Sequence, residues 1–316
     1  MENLTTVEMK ALLDVTPQRI NNILQELKIP SDSLPRAGQK KTYPPEIAKM
    51  MLAKKGVNYS INKIVGFCNN KGGVGKTSTA INSASMLANF GMKVLLIDGD
   101  PQSNATSFLV SKTNGLSGKC LYDVVTNKAG IKESIVHVTS CLDLLPSSLS
   151  NSHLERFFQS NSLNPVTFYK KLFNGLDYNF IIWDLSPALS TSNTYALMSC
   201  DSIQIVTDLS DFGYQGVEMT INSIRASQEQ FNSFDPNVEI LVNMFDERKI
   251  KTLEYISKLE TLGTLNPTII KVDSSVTISQ MLKTPILQKS KIYKETLELV
   301  CGMIDFNFKF SNEKIQ

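Results

Sequence analysis

Short apolar runs alternate with amphipathic helical stretches along the chain after about residue 62. Runs that are apolar throughout, bounded by turn residues and separated by helices, are typical of parallel strands covered on both faces. The predicted strands have the sequences IVGFC, VLLID, LDLLP, FIIWD, SIQIV, VEILVN and PTIIK. The pattern predicts an α/β fold with a doubly wound, mostly parallel sheet. Residues 103–140 form a longer, less regular insertion whose elements the pattern does not assign.

The first 55 residues show a helical pattern instead. Thr6 can cap a short helix VEMKALL, the stretch DVTP interrupts it, and PQRINNILQEL resumes with Pro17 in the permitted first turn. A third short helix follows Pro44 and Pro45. Two short helices joined by a tight turn predict a helix-turn-helix. Since the composition changes near residues 56–62, we place a small helical domain at 1–58 and the α/β domain at 59–316.

The polar face of the second helix suits DNA. Arg19 and Asn22 would point towards a groove, and Arg36, in the segment between Ser31 and Tyr43, would touch phosphates as part of a wing. Two other interpretations stay open. The helices could form a dimerisation or docking module with a solvated face, and the segment could be a linker loop.

Composition narrows the classes further. The net charge of +2 is too small to indicate nucleic acid, although residues 1–55 carry nine Lys/Arg against six Asp/Glu. The five cysteines are scattered, which supports neither a zinc site nor a disulfide framework. No apolar run approaches the roughly 20 residues of a spanning helix, and no signal segment is visible at the N-terminus. We expect a cytoplasmic protein.

A glycine-rich turn follows the first strand of the α/β domain, where NNKGGVGKTS leads into a helix. Glycines let backbone N–H groups approach a polyphosphate, and the helix N-terminus adds partial positive charge. Lys76 can bridge the terminal phosphates, and the Thr77 hydroxyl can bind Mg²⁺. The sequence thus predicts an ATP and Mg²⁺ site. Its cofactor-binding residues are Lys71, Gly72, Gly73, Val74, Gly75, Lys76, Thr77 and Ser78.

This loop departs from the general P-loop pattern, because Asn70 stands where the first glycine would be. The run KGGVGKT resembles the deviant P-loop of the ParA/MinD superfamily, and residues 62–302 resemble the ParA-type DNA-partition ATPases. The resemblance implies that Lys71 acts catalytically together with Lys76, reaching across a nucleotide sandwich dimer to the partner's phosphates. A solvated loop lysine is the plainer interpretation of Lys71.

Three further motifs carry the resemblance. In VLLIDGDPQSNAT it implies that Asp100 orients the attacking water and that Asp98 lies nearer the magnesium. In FIIWDLSPALS it implies that Asp184 binds the metal through water, as a Walker B carboxylate. Relatives have proline where this chain has Ser186, which leaves the shape of that loop open. Exposed turn acids, or a buried capping Asp184, would be the alternatives.

Two more residues are implied to bind the cofactor. Asn243 ends the strand of EILVN, where relatives contact the adenine edge and where an amide offers both a donor and an acceptor. Near the end of the chain, a segment resembles the closing segment of the family, and Pro285 is one of its anchors. Asparagine is also common as a turn residue.

The resemblance implies a partition ATPase that dimerises on ATP binding and associates with the nucleoid. It would bind nonspecific DNA through Lys289, Lys291 and Lys294, and a centromere-binding, ParB-like adaptor would stimulate hydrolysis. The first alternative is a nucleotide-switched transcriptional repressor that binds operator DNA through residues 1–55. A MinD-like membrane-associated ATPase is the second, but the tail FNFKFSNEKIQ is too short for the amphipathic helix it needs, so no membrane partner is expected.

Overall fold

The computed structural model describes residues 3–38, 40–110, 118–248, 252–285, 290 and 292–306. The strands within these ranges are β1 (Leu4–Thr5), β2 (Arg36–Ala37), β3 (Lys40–Tyr43), β4 (Lys63–Cys68), β5 (Val94–Asp98), β6 (Val136–His137), β7 (Leu142–Leu145), β8 (Phe180–Asp184), β9 (Ser202–Thr207), β10 (Asn237–Phe245) and β11 (Leu265–Lys271). The helices are α1 (Thr6–Leu13), α2 (Pro17–Glu26), α3 (Pro45–Lys54), α4 (Lys76–Asn89), α5 (Asn104–Val110), α6 (Leu121–Val125), α7 (Ile131–Ser134), α8 (Leu154–Ser160), α9 (Pro165–Leu172), α10 (Thr191–Leu197), α11 (Asp211–Gln230), α12 (Thr252–Leu262), α13 (Ser275–Leu282) and α14 (Ile292–Met303). Two short 3₁₀ helices lie at Ser31–Ser33 and Leu149–His153.

The larger sheet has eight strands in the order β11-β10-β9-β4-β8-β5-β7-β6. All neighbours are parallel except β6, which pairs antiparallel with β7. The seven strands predicted from the sequence are present, which confirms the α/β fold. The insertion at 103–140 holds α5, α6, α7 and β6 within its described part.

Successive side chains of the central strands face opposite sides of the sheet and are buried on both. In β4, Val65 and Phe67 belong to one apolar cluster, whereas Ile64 and Cys68 belong to the other. The same alternation runs through β5 and β8. A strand buried on both faces reads as a continuous apolar run, which explains why the sequence pattern was informative.

The two outermost strands differ from those at the centre. β6 contains two residues and, among the described strands, pairs with β7 alone. β11 includes Pro267, which has no backbone N–H to donate, and its register with β10 is irregular.

The N-terminal segment contains the three predicted helices and a three-stranded antiparallel sheet of order β1-β3-β2. The predicted cap of α1 was wrong by one residue, because the hydroxyl of Thr5, not of Thr6, accepts from the N–H of Glu8. The Glu8 carboxylate in turn accepts a hydrogen bond from the N–H of Thr5, so a capping box stabilises the start of this helix. The segment between Ser31 and Tyr43, for which the sequence allowed either a wing or a linker loop, contains the β2–β3 hairpin.

The N-terminal segment packs against the end of α4 that is remote from the P-loop. A Cβ built on Gly91 would lie 2.4 Å from the carbonyl oxygen of Pro45 and 2.6 Å from Cβ of Lys49. The Tyr59 hydroxyl donates to the Phe90 carbonyl at 2.6 Å. The two regions therefore share a close backbone contact. No helix within the described ranges has both the length and the apolar character to cross a membrane.

Candidate nucleotide site

The turn between β4 and α4 has the backbone of a phosphate-binding loop. Gly73 and Gly75 have φ of 77° and 89°, in the left-handed region that side chains disfavour. Gly75 has a second constraint, because a Cβ there would lie 2.2 Å from Nδ2 of Asn243. The loop opens on a cavity of about 840 Å³. Lining residues from the predicted loop are Gly72, Gly73, Gly75, Lys76, Thr77 and Ser78.

Helix α13 lies across this cavity. Gln280 Nε2 donates to Oγ of Ser78 at 3.2 Å, at the start of α4. Lys283 Nζ donates to the Ser107 carbonyl at 3.0 Å, on α5. The sequence motifs did not indicate either contact. Together they join α13 to both walls of the cavity.

Lys76 is buried at the base of the loop and is directed towards the loop's own backbone. Its Nζ donates to the carbonyl of Lys71 at 2.8 Å. Burial lowers the pKa of Lys76, and the charges of Asp184 and Asp100 act in the opposite direction. An ammonium group beside carboxylates in a closed loop is well placed to meet a polyphosphate.

Asp184 ends β8 beside Asp98, its partner in the register of β5 and β8. It is fully buried, and the described residues give its carboxylate oxygens no hydrogen bond of normal geometry, although the Thr77 hydroxyl is near enough to oppose the rise of its pKa. Burial, and next the charge of Asp98, hold the pKa of Asp184 well above its usual range. A buried carboxylate without partners is costly unless a cation or donor satisfies it.

These residues fit a hydrated magnesium ion better than a metal cage. No group of three or more His, Cys, Asp and Glu side chains in the described ranges could enclose a metal. Mg²⁺ in phosphate sites usually keeps several waters and takes one or two protein ligands. The Asp184 carboxylate and the Thr77 hydroxyl, which lines the cavity, suffice for that mode.

Asp98 has a structural task. Its Oδ2 accepts from the N–H and hydroxyl of Thr106 at 2.8 and 2.7 Å, and its Oδ1 accepts from the N–H of Asp100 at 3.1 Å. Burial raises its pKa to about 6, although the bonds from Thr106 oppose this shift. Both oxygens thus hold the loop that carries Asp100. Its role near magnesium stays a prediction.

Asp100 lines the cavity and is 8% exposed. Its Oδ1 accepts from the N–H of Gln102 at 2.9 Å. Lys76 is close enough that the Asp100 charge acts on its pKa. The structure therefore brings Asp100, Lys76 and the glycine loop to one cavity, as the sequence predicted.

Lys71 lies apart from this group. Its Nζ contacts both carboxylate oxygens of Asp208 at 2.7 and 2.8 Å and Oγ of Ser210 at 2.9 Å, at the start of α11. A glycine of α11 permits this approach: a Cβ on Gly216 would lie 2.4 Å from Oδ1 of Asn69 and 3.2 Å from Cβ of Lys71. Lys71 does not line the cavity.

The two other residues predicted to bind the cofactor differ in position. Asn243 lines the cavity, but its Nδ2 donates to the carbonyl of Val74 at 2.8 Å. One donor of its amide group is therefore already bound to the backbone of the P-loop. Pro285, three residues beyond the end of α13, does not line the cavity.

The predicted DNA contacts lie far from one another in the chain. Arg19 pairs with Glu26 at 2.8 Å on the exposed face of α2, where Asn22 is also exposed. Arg36 is exposed on β2. Lys294 lies 3.8 Å from Glu298 on α14. Lys289 and Lys291 fall outside the described residues.

Proteins of known name resemble this chain in sequence. The AAA_31 family model, described as an AAA domain, matches residues 62–240. The sporulation initiation inhibitor protein Soj of Bacillus subtilis is 31% identical over 63% of this chain and 80% of its own length. The chromosome partitioning protein ParA of Myxococcus xanthus is 31% identical over 60% of this chain and 67% of its own length.

Solved structures show the same fold. An ATP complex of a McdA variant from Cyanothece superposes with a TM-score of 0.70 at 18% identity, covering 79% of this chain and 98% of that one. A plasmid partition protein from Borrelia burgdorferi superposes with a TM-score of 0.61 at 21% identity, covering 78% and 99%. With the P-loop, the buried Asp184 and these matches, the chain belongs to the ParA/Soj family of P-loop ATPases.

Proposed function

We propose that this ATPase serves DNA partition. Its ATP-bound form is a homodimer that binds nonspecific DNA, and a centromere-binding, ParB-like partner stimulates hydrolysis and release. Relatives named for chromosome partitioning support this proposal. So does a structural neighbour named as a plasmid partition protein. A protein with this task would be cytoplasmic and associated with the nucleoid.

The position of Lys71 carries the dimer proposal. Lys76 and Asp100 line one cavity, and Asp184 is close enough for its charge to act on the pKa of Lys76. The ammonium of Lys71, in contrast, is held by Asp208 and Ser210. Lys71 does not line the cavity that would hold the phosphates of an ATP bound to the same chain. Lys71 is therefore available to a second chain once the contact with Asp208 is broken.

The reaction follows from the placement of the charged groups. Lys76 turns from the Lys71 carbonyl to the terminal phosphates, and the N–H groups of the glycine loop cradle them. Magnesium, when bound, neutralises charge on the β- and γ-phosphates; Thr77 and Asp184 would hold it. Asp100 orients the attacking water at the cavity wall.

The Asp100→Ala variant tests this arrangement. It should bind ATP as the wild type does, because the P-loop is untouched, but it should hydrolyse ATP at least about tenfold more slowly. The dimer should then persist with ATP in size-exclusion chromatography. Hydrolysis at the wild-type rate would show that Asp100 does not position the water.

We place two DNA contacts on this protein. Residues 1–58 would form a separate DNA-binding unit that uses Arg19, Asn22 and Arg36, whose side chains are exposed. Lys294, together with Lys289 and Lys291, would contribute to nonspecific binding by the dimer. Phosphate contacts of this kind weaken as salt rises.

Binding to random-sequence duplex DNA separates partition from repression. The full chain is measured with ATP, ADP or no nucleotide at two salt concentrations, beside the Arg19→Ala/Arg36→Ala and Lys294→Ala variants. ATP-dependent, salt-sensitive binding that survives the N-terminal changes supports a partition ATPase. DNA binding that does not depend on ATP and is lost in the Arg19→Ala/Arg36→Ala variant would instead identify a nucleotide-switched repressor that acts on an operator.

A further inference from the structure

A buried polar network encloses the backbone of Asp100. Its members come from the end of β5, from α5 and from the segment that follows β7. They are Asp98, Asp100, Thr106, Ser147 and Asn151, each 8% exposed or less. Polar groups buried to this degree are costly unless they bond to one another, so the arrangement has a defined geometry.

The hydrogen bonds close around a single residue. Asp98 accepts from the N–H of Asp100, and the Ser147 hydroxyl donates to the Asp100 carbonyl at 2.6 Å. The Thr106 hydroxyl donates to Asp98 and accepts from the N–H of Ser147 at 2.9 Å. Asn151 Nδ2 donates to Oγ of Ser147 at 2.7 Å. The N–H of Asp100 is therefore held from the end of β5 and its carbonyl from the segment after β7. The carbonyl also accepts from the N–H of Ser103 at 2.9 Å.

We propose that Thr106, Ser147 and Asn151 are positioning residues for hydrolysis, which hold the Asp100 carboxylate at the angle needed to orient the attacking water. This inference rests on the proposed role of Asp100. None of the three side chains lines the cavity, so each acts through Asp100 and not on the nucleotide. A shift of about 1 Å in a group that positions a reactant can lower the reaction rate by about a hundredfold.

Single-turnover hydrolysis by the full chain with Mg²⁺ and ATP tests the proposal. Ser147→Ala and Thr106→Val should each lower the hydrolysis rate by about tenfold, while ATP affinity stays within about twofold, because the P-loop is untouched. Thr106→Ser, which keeps the hydroxyl, should restore most of the rate. Ser83→Ala is the matched control, since Ser83 is also fully buried and its hydroxyl has no hydrogen-bond partner among the described residues.

A double-variant cycle separates positioning from a general loss of structure. If Ser147 acts through Asp100, adding Ser147→Ala to Asp100→Ala should lower the rate by less than about twofold further. Equal losses in both backgrounds would overturn the proposal, as would wild-type rates for Ser147→Ala and Thr106→Val together. Melting temperatures near that of the Ser83→Ala control confirm folding. The Asn151→Ala variant, which removes the donor to Ser147 without adding a buried charge, replaces any that fails. A wild-type rate for Asp100→Ala would refute the role of Asp100 itself, a result distinct from either of these.

Discussion

Replacing Asp208 with Asn should strengthen ATP-dependent dimerisation. The ammonium of Lys71 is held by two carboxylate oxygens and a hydroxyl, and the two side chains of the ion pair are only 24% and 26% exposed. A charge-assisted contact at this depth contributes about 1.5 kcal/mol, more than an exposed pair and less than a fully buried one. Asparagine keeps the shape but removes the charge.

That magnitude predicts a measurable change. A contribution of about 1.5 kcal/mol corresponds to a factor of about ten in the equilibrium between Lys71 bound to Asp208 and Lys71 free for a partner chain. The proposed dimer would release two such contacts. The dimer dissociation constant should therefore fall by about tenfold, and by up to about a hundredfold if both contacts act independently. Sedimentation velocity at fixed salt, with a slowly hydrolysed ATP analogue, measures the constant directly.

The control for this experiment is Asp211→Asn. Asp211 lies three residues further on and accepts a hydrogen bond from Tyr255 at 2.8 Å, so its removal takes the same charge from the start of α11. It should leave dimerisation unchanged. Unchanged or weaker dimerisation of the Asp208→Asn chain would refute competition between Asp208 and a partner for Lys71. If Lys71→Ala dimerises like the wild type, Lys71 does not act in trans at all.

Three other substitutions have defined outcomes. Lys76→Ala should abolish ATP binding in calorimetry while circular dichroism stays native; retained affinity would contradict its role at the phosphates. Asp184→Asn should raise the melting temperature of the ligand-free protein and abolish its stabilisation by Mg²⁺-ATP. Because the pKa of Asp184 is raised in the folded state, ionising this carboxyl lowers the stability of the folded protein above the unfolded-state pKa. The increase in melting temperature should therefore grow as pH rises towards neutrality. No gain in a pH series of melting curves would contradict this account. Gly91→Ala should lower the free energy of unfolding by about 1–3 kcal/mol, because the φ of Gly91 is 81° and a Cβ there would clash with the Pro45 carbonyl. It should also speed proteolysis between residues 54 and 63. An unchanged melting temperature and cleavage rate would refute the packing argument.

Much of the fold could be predicted, because the strands that carry the site are buried on both faces and read as continuous apolar runs. The cavity was predictable for a related reason, since the glycine loop and Asp184 both follow directly from such runs. The cap of α1 was missed although a signal existed. With the cap at Thr5, Glu8 stands at the third helical position and completes a capping box.

Other parts of the site had no local signal. Lys71 and Asp208 are separated by 137 residues, and only the assembled sheet brings them together. The task of Asp98 depends on α5 folding back so that Thr106 meets it, and that helix lies in the insertion where the periodicity was uninformative. β6 has two residues, too few to show an alternating pattern.

The outermost strands limit how copies of this protein can join. A two-residue strand offers few free backbone groups, and a strand that contains Pro267 lacks one of the donors that a new neighbour would need. Both features disfavour the growth of one sheet from molecule to molecule. Two copies that lie side by side would therefore meet through their side chains more readily than through one continuous sheet.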